Sequence, residues 1–235
     1  HIVPNYTTSG LGMTAKLVEL TKTHCGAAAV SYYRRDYTSN TIRAFVDAGI
    51  KTSIHYVLSN SSLDEAIDIL EHHEKYTDLQ GIYAIIFLAH KPVGCGRNEE
   101  VLDINDPKVQ RFYSLIETQK VPFQFGFDSC SVPGILNLTT KIAHASVDTC
   151  EGSRFSGYIS ADMNMVPCSF DQERKYGVDL YAYTVQEAWD SKEFDRFRHP
   201  LQHSCPSCSG RETCMGGCPL EPSVVLCSSN KRNVA

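Results

Sequence analysis

Two periodicities alternate along the first half of the chain. Short apolar or alternating runs, the signature of strands, are separated by stretches in which apolar residues return every three or four positions. "PNYTTSG" predicts a strand closed by a turn, and "GMTAKLVELTKTH" a helix after it. "AAAVSYY" (Ala27–Tyr33) predicts the second strand. "TSNTIRAFVDAG" predicts a helix with Thr38 or Ser39 as N-cap and Gly49 as its left-handed stop. "IKTSIHYVLS" is the third strand, and in "SSLDEAIDILEHHEKY" Leu63, Ala66, Ile67 and Leu70 share one helical face. The unbroken apolarity of "GIYAIIFLA" predicts a fourth strand covered on both faces, as in a parallel sheet. Asp106 and Pro107 then open "PKVQRFYSLIETQ" with a cap and a first-turn proline, and "PFQFGFDSC" is the fifth strand.

Strand–helix units of ~30 residues with right-handed crossovers predict an α/β sheet or barrel. Its working residues belong at the carboxyl ends of the strands. Those ends are Thr8–Gly10, Ser31–Arg35, Ser59–Asn60, Lys91–Gly96 and Asp128–Cys130. After about Ala145 the pattern changes. "RFSGYISADMNMVPCSF" alternates like a hairpin, Ser156–Ser160 and Met165–Cys168 about a turn at Asp162–Asn164. "TVQEAWDSKEFDRFR" reads as one short helix with a Thr184…Glu187 capping box, Trp189, Phe194 and Phe197 facing a small core. The remainder reads as thiol-rich loop. So thin a core needs a staple. The boundary is expected near Thr139–Asp148, dividing a domain at 1–140 from one at 145–235.

Composition narrows the partners. The chain of 235 residues is 42% hydrophobic and 21% charged with a formal net charge of −5. That mild acidity offers no footprint for nucleic acid or an anionic membrane. The longest apolar run, Ile82–Ala89, is too short to cross a bilayer. The sequence opens on "HIVPNYTTSG", without Met or a leader, and is read as a cytoplasmic fragment whose front is missing.

Ten cysteines change the picture more. Cys25 and Cys95 stand alone and read as buried small hydrophobes. The other eight lie from Cys130 onward. From Cys150 the spacing is Cys150-x17-Cys168, a gap, Cys205-x2-Cys208-x5-Cys214-x3-Cys218, then x8 and Cys227. A secreted disulfide framework would spread its thiols through a core-poor chain, whereas here the first half has ample apolar sequence and almost no cysteine. Seven thiols exceed the four that one tetrahedral zinc takes. Two cuboidal iron–sulfur clusters use eight, or seven with one iron left open or ligated otherwise. Thiolate suits iron because soft sulfur stabilises both of its oxidation states. The glycines of "CMGGCP" allow close backbone approach and aim amides at sulfur.

"CEGSRFSGYISADMNMVPC", "CPSCSGRETCMGGCP" and Cys227 together resemble the SPASM domain, the auxiliary-cluster module of many radical S-adenosylmethionine (SAM) enzymes. The resemblance covers Cys150–Cys227, with all seven cysteine positions of that pattern present. The strand–helix half resembles the back of the partial (β/α)6 barrel of those enzymes. "YTTSG" is similar to its third strand, "AAVSYYRRD" to its fourth, "TSIHYVLS" to its fifth and "IIFLAHKPVG" to its sixth. The fold implied is thus α/β, a partial barrel followed by a small cysteine-rich domain with a hairpin and a helix. Two positions depart from the pattern. Met163 stands where the family usually has Gly, which predicts a different type of hairpin turn. The Cys-x3-Cys-x2-Cys loop that holds the SAM-cleaving cluster is absent from the sequence. About two strand–helix units, roughly 60–90 residues, are therefore expected to be missing from the front.

The resemblance implies ligand sets. Cys205, Cys208, Cys214 and Cys227 would hold one auxiliary 4Fe–4S cluster, and Cys150, Cys168 and Cys218 the other. Cys130 is the candidate fourth ligand of the second; the alternative is an open iron that takes a substrate sulfur or carboxylate. Ser31 occupies a strand position whose polar side chain often contacts SAM, and Arg34, beside Arg35, would meet the SAM carboxylate. The plainer readings are turn chemistry for Ser31 and a solvated loop for Arg34. "KPVGCGR" resembles the loop lining the adenine pocket.

The implied function is a radical SAM oxidoreductase that modifies a peptide or protein. Auxiliary clusters would carry electrons or bind substrate, a third cluster with SAM would reside in the full-length protein, and flavodoxin or ferredoxin would donate electrons. No catalytic residue is assigned. The competing reading is a non-catalytic metal-binding adaptor, or a partner subunit with a degenerate barrel. A zinc-ribbon nucleic-acid binder fits the acidic charge badly.

Overall fold

In a computed structural model the described residues are 2–143 and 147–227. Contacts divide the chain into two compact units, His1–Ala89 with Asp106–Asp128, and His90–Asn105 with Ser129–Ala235. The loop 90–105 and the segment after Asp128 therefore group with the thiol-rich part. The expected boundary at 139–148 includes 144–146, which lie outside the described residues.

The first unit alternates strand and helix. Its elements are β1 (Asn5–Thr8), α1 (Ala15–His24), β2 (Ala27–Ser31), α2 (Asp36–Asp47), β3 (Thr52–Leu58), α3 (Leu63–Glu71), β4 (Ala84–Ala89), α4 (Pro107–Thr118) and β5 (Gln124–Phe127). The five strands form one parallel sheet in the order β1-β2-β3-β4-β5. The predicted stops and caps hold at two helices. Gly49 takes φ +74° after α2, and the Asp106 carboxylate accepts from the Lys108 amide at 2.8 Å ahead of α4. Thr38 and Ser39 are not the N-cap of α2, which begins three residues earlier behind Arg35. Their hydroxyls serve longer-range bonds instead, Thr38 to the Ser9 carbonyl and Ser39 to Asp78, while Asp36 supplies negative charge at the first turn.

One sheet face carries the core. Val30, Ile54 and Ile85 lie in register, as do Tyr56 and Phe87, and all five are buried. They pack with Ile42 and Phe45 of α2, Leu63, Ala66 and Leu70 of α3, and Phe112 of α4, whose ring meets Phe87 edge-on at 4.9 Å. The opposite face departs from expectation. Ser31, His55 and Ile86 form a register row there, half-buried, and Val57 is 49% exposed. The apolar run at Ile82–Ala89 is thus not sealed on both sides among the described residues. Its inward residues meet helices, and its outward ones, Ile86 and Leu88, line a face that helices α2–α4 leave open.

The second unit contains α5 (Val132–Leu138), an antiparallel three-stranded sheet β6 (Tyr158–Ile159), β7 (Asn164–Val166) and β8 (Val178–Asp179), then α6 (Val185–Trp189), α7 (Lys192–His203) and α8 (Arg211–Cys214). The single helix expected over 184–198 is two. Thr184 and Glu187 form the capping box of α6, and Ser191 caps α7 afresh by accepting from the Phe194 amide. Phe194 and Phe197 are buried; Trp189 is half-buried against Phe194. Met163, in the β6–β7 turn, takes φ +58°, the left-handed conformation that glycine adopts freely.

Candidate metal centre

The seven downstream thiols lie in loops of the second unit, and Cys205, Cys208, Cys214 and Cys218 follow one another through a run of tight turns. Cys168 follows β7, and its carbonyl accepts from the Asp171 amide at 2.9 Å. Beyond α7, Cys205 takes φ +53°, and its carbonyl accepts from the Cys208 amide at 3.0 Å. The Cys208 carbonyl accepts in turn from Arg211, which starts α8, and α8 ends on Cys214. Met215, Gly216 and Gly217 then run left-handed in succession, with φ 51°, 80° and 80°. A Cβ on Gly217 would lie 2.7 Å from Val225, so only glycine fits there. The Thr149 hydroxyl donates to the Cys214 carbonyl at 3.0 Å, drawing the segment before Cys150 to the same loop. The Cys227 thiol reaches Asn137 Oδ1 on α5 at 3.7 Å.

Electrostatics sorts these thiols into two groups. Burial pushes the Cys150 thiol up to about 11, and Cys218 and Cys168 push it the same way. Burial also raises Cys214, with Cys227, Cys205 and Cys208 as its thiol neighbours. Cys218 is raised by burial and by Cys168. Backbone amides oppose each shift: Gly152 at Cys150, Gly216 at Cys214, and Glu221 and Leu220 at Cys218. The Glu221 amide stands 3.3 Å from the Cys218 sulfur. Amide donors aimed at sulfur favour the thiolate, the form that ligates metal.

No disulfide joins any of the ten cysteines. Among the described residues, no three His, Cys, Asp or Glu side chains converge tightly enough for a single metal ion. Grouped thiols met by backbone amides are a donor set of the kind that can hold an iron–sulfur cluster.

The remaining predicted residues lie as follows. Cys130 is half-buried in the turn Ser129–Ser131 ahead of α5. Cys25 is half-buried, and Cys95, expected inside, is exposed because it sits in the tight Gly94–Gly96 turn. Loop residues Pro92, Val93 and Gly94 line a cavity of about 300 Å³ with Phe170–Glu173, Leu220 and Glu221, the sequence neighbours of Cys168 and Cys218. Lys91 Nζ lies 4.7 Å over the Phe170 ring.

In the first unit Ser31 ends β2, half-buried beside His55. Arg34 takes φ +54°, stacks over the Tyr56 ring at 4.9 Å and pairs with Glu65. The single proton of the Tyr56 hydroxyl is shared between two acceptors, Glu65 at 2.6 Å and the Ser62 carbonyl at 2.7 Å. The alternation of "TSIHYVLS" sets His55 on the face opposite Tyr56, whereas nothing near Glu65 in sequence announces its pairing with Arg34.

No protein-family model and no curated protein matches the chain. Solved structures do. SuiB of Streptococcus suis superposes with a TM-score of 0.64 at 15% identity, over 96% of this chain and 60% of SuiB. anSMEcpe with bound AdoMet and Kp18Cys peptide gives 0.58 at 12% identity, over 91% of this chain and 65% of anSMEcpe. Its complex with AdoMet and Cp18Cys peptide gives 0.56 at 14%. The likeness is in the α/β fold with its parallel five-stranded sheet. The chain spans about two thirds of their length or less. At such identities the likeness is one of fold.

Proposed function

We propose that this chain is the later-barrel and auxiliary-cluster part of a radical SAM enzyme that modifies a peptide or protein. The observation that carries this reading is the sorting of seven thiols into two groups, each met by backbone amides. The sequential parallel strand order supports a partial barrel over 1–140, since it contains no reversal of direction across the sheet. Residues 145–235 are then the SPASM-type domain. anSMEcpe, a protein of the same fold, has been seen with AdoMet and a peptide, which supports the same classes of ligand here.

Two auxiliary 4Fe–4S clusters would supply electron transfer or substrate binding, alongside SAM and a third cluster contributed from outside this sequence. Cys205, Cys208, Cys214 and Cys227 hold one set of ligating sulfurs. Cys150, Cys168 and Cys218 hold the other, with Cys130 as candidate fourth. The amides of Gly152, Gly216, Leu220 and Glu221 offset negative charge that burial would otherwise expel. Ser31, half-buried at the end of β2, is the proposed side-chain donor to SAM. Arg34 can meet a SAM carboxylate only by exchanging it for Glu65. The open face, mixing Ser31 and His55 with Ile86 and Leu88, suits a ligand with polar and apolar parts. A cytoplasmic setting, with flavodoxin or ferredoxin as electron donor, belongs to the same proposal.

Anaerobic reconstitution of this chain should yield about eight iron and eight sulfide per chain, from two four-iron clusters, and no SAM cleavage. Stoichiometric zinc without sulfide would overturn the proposal.

A further inference from the structure

Helix α7 carries a second kind of metal-ligating side chain outside the thiol loop. Its buried face is Phe194, Phe197 and Leu201, spaced three and four apart. The opposite stripe carries Asp195, His199 and His203, each four residues from the next, all exposed. The rings of His199 and His203 lie with centroids 4.4 Å apart and planes inclined by 38°. Neither imidazole has a hydrogen bond or ion pair among the described residues. Asp195 is committed to Arg198, at 2.8 Å.

We propose that His199 and His203 form a bidentate site for a divalent transition-metal ion such as Zn²⁺ or Ni²⁺, completed by water. Imidazole is the ligand type these borderline cations prefer. Side chains four apart on a helix stand on one face, one turn above the other, so two ring nitrogens reach one ion without unwinding the helix. The apposed rings already bear the side-chain ordering that chelation requires, and no partner must be displaced. Two ligands rather than three agree with the lack of any larger converging group among the described residues.

The position gives the site a structural consequence. Pro200 lies between the two histidines, inside the helix. It has no N–H to donate, so the turn that carries the pair lacks one helical hydrogen bond. A metal chelate across this turn clamps the last turn of α7. Cys205 follows two residues after His203, so the clamp steadies the segment that presents the first thiol of the Cys205–Cys218 loop. The inference does not depend on the identity of any cluster held by those thiols.

The test is equilibrium dialysis of Ni²⁺ against the full chain at neutral pH under anaerobic conditions, comparing wild type with His199→Ala, His203→Ala, the double variant and His72→Ala. Because each comparison is made at matched iron and zinc content, Ni²⁺ taken up by thiols enters every arm equally. Either single variant should weaken one Ni²⁺ site at least about tenfold, as expected for loss of a ligand. The double variant should add little, because a chelate is lost with its first arm. His72→Ala should bind as wild type does. Circular dichroism checks that each variant keeps its helix content, and His199→Gln and His203→Gln repeat the comparison if an alanine variant does not. Unchanged affinity in both folded single variants, or losses that simply add, would overturn the proposal. Failure of iron to load into the thiols would leave the Ni²⁺ comparison intact.

Discussion

The backbone amide of Glu221 points at the sulfur of Cys218 from 3.3 Å. Together with the Leu220 amide it opposes the upward push that burial gives this thiol's pKa. A buried sulfur provided with donors suits a negative charge, and the proposed cluster would give the reason for one.

Replacing Cys218 by Ser should therefore remove about half of the reconstituted iron and sulfide, from about eight of each to about four. Iron and acid-labile sulfide assays check this. Cys25→Ser, at a thiol outside both groups, should leave the content unchanged. A full complement in the Cys218 variant would remove that residue from the ligand set.

Met163 should be a stability reserve. A non-glycine residue in the left-handed region costs roughly 1–2 kcal/mol, offset in part because glycine loses more backbone entropy on folding. Met163 is 39% exposed, so little packing is lost with its side chain. Met163→Gly is expected to raise unfolding free energy by up to about 1 kcal/mol, read as a higher midpoint in urea at unchanged slope.

His55 should contribute a pH dependence. Burial lowers its pKa in the folded chain, from about 6.5 when unfolded. Above that value both states hold it neutral and it has no effect. As pH falls below it, the unfolded chain binds the proton first, so stability drops until the folded imidazole is also protonated. The groups across its sheet row, Ser31 and Ile86, supply no charge to oppose this. The fall in urea midpoint between about pH 7.5 and about pH 5.5 should be smaller in His55→Gln than in wild type. Equal falls in the two proteins would exclude the residue.

Much of the architecture was legible from local pattern. Leu63, Ala66, Ile67 and Leu70 are buried as their spacing required, and Thr184 with Glu187 caps α6 as their types required. Where the reading failed, a distant partner had intervened. Ser39 abandons a capping role for Asp78, and Ile86 turns to an open face that no neighbouring residue in sequence announces.

The order of residues alone determined the element types, most of their ends and the presence of seven clustered thiols, because hydrophobic period, capping and cysteine spacing act within a few positions of the chain. Tertiary structure decided which thiols share a neighbourhood, which amides face them, that Arg34 pairs with Glu65, and that His199 meets His203 ring to ring. Burial and Coulomb interaction depend on separation in space. The path of the backbone, folded over its apolar face, sets that separation.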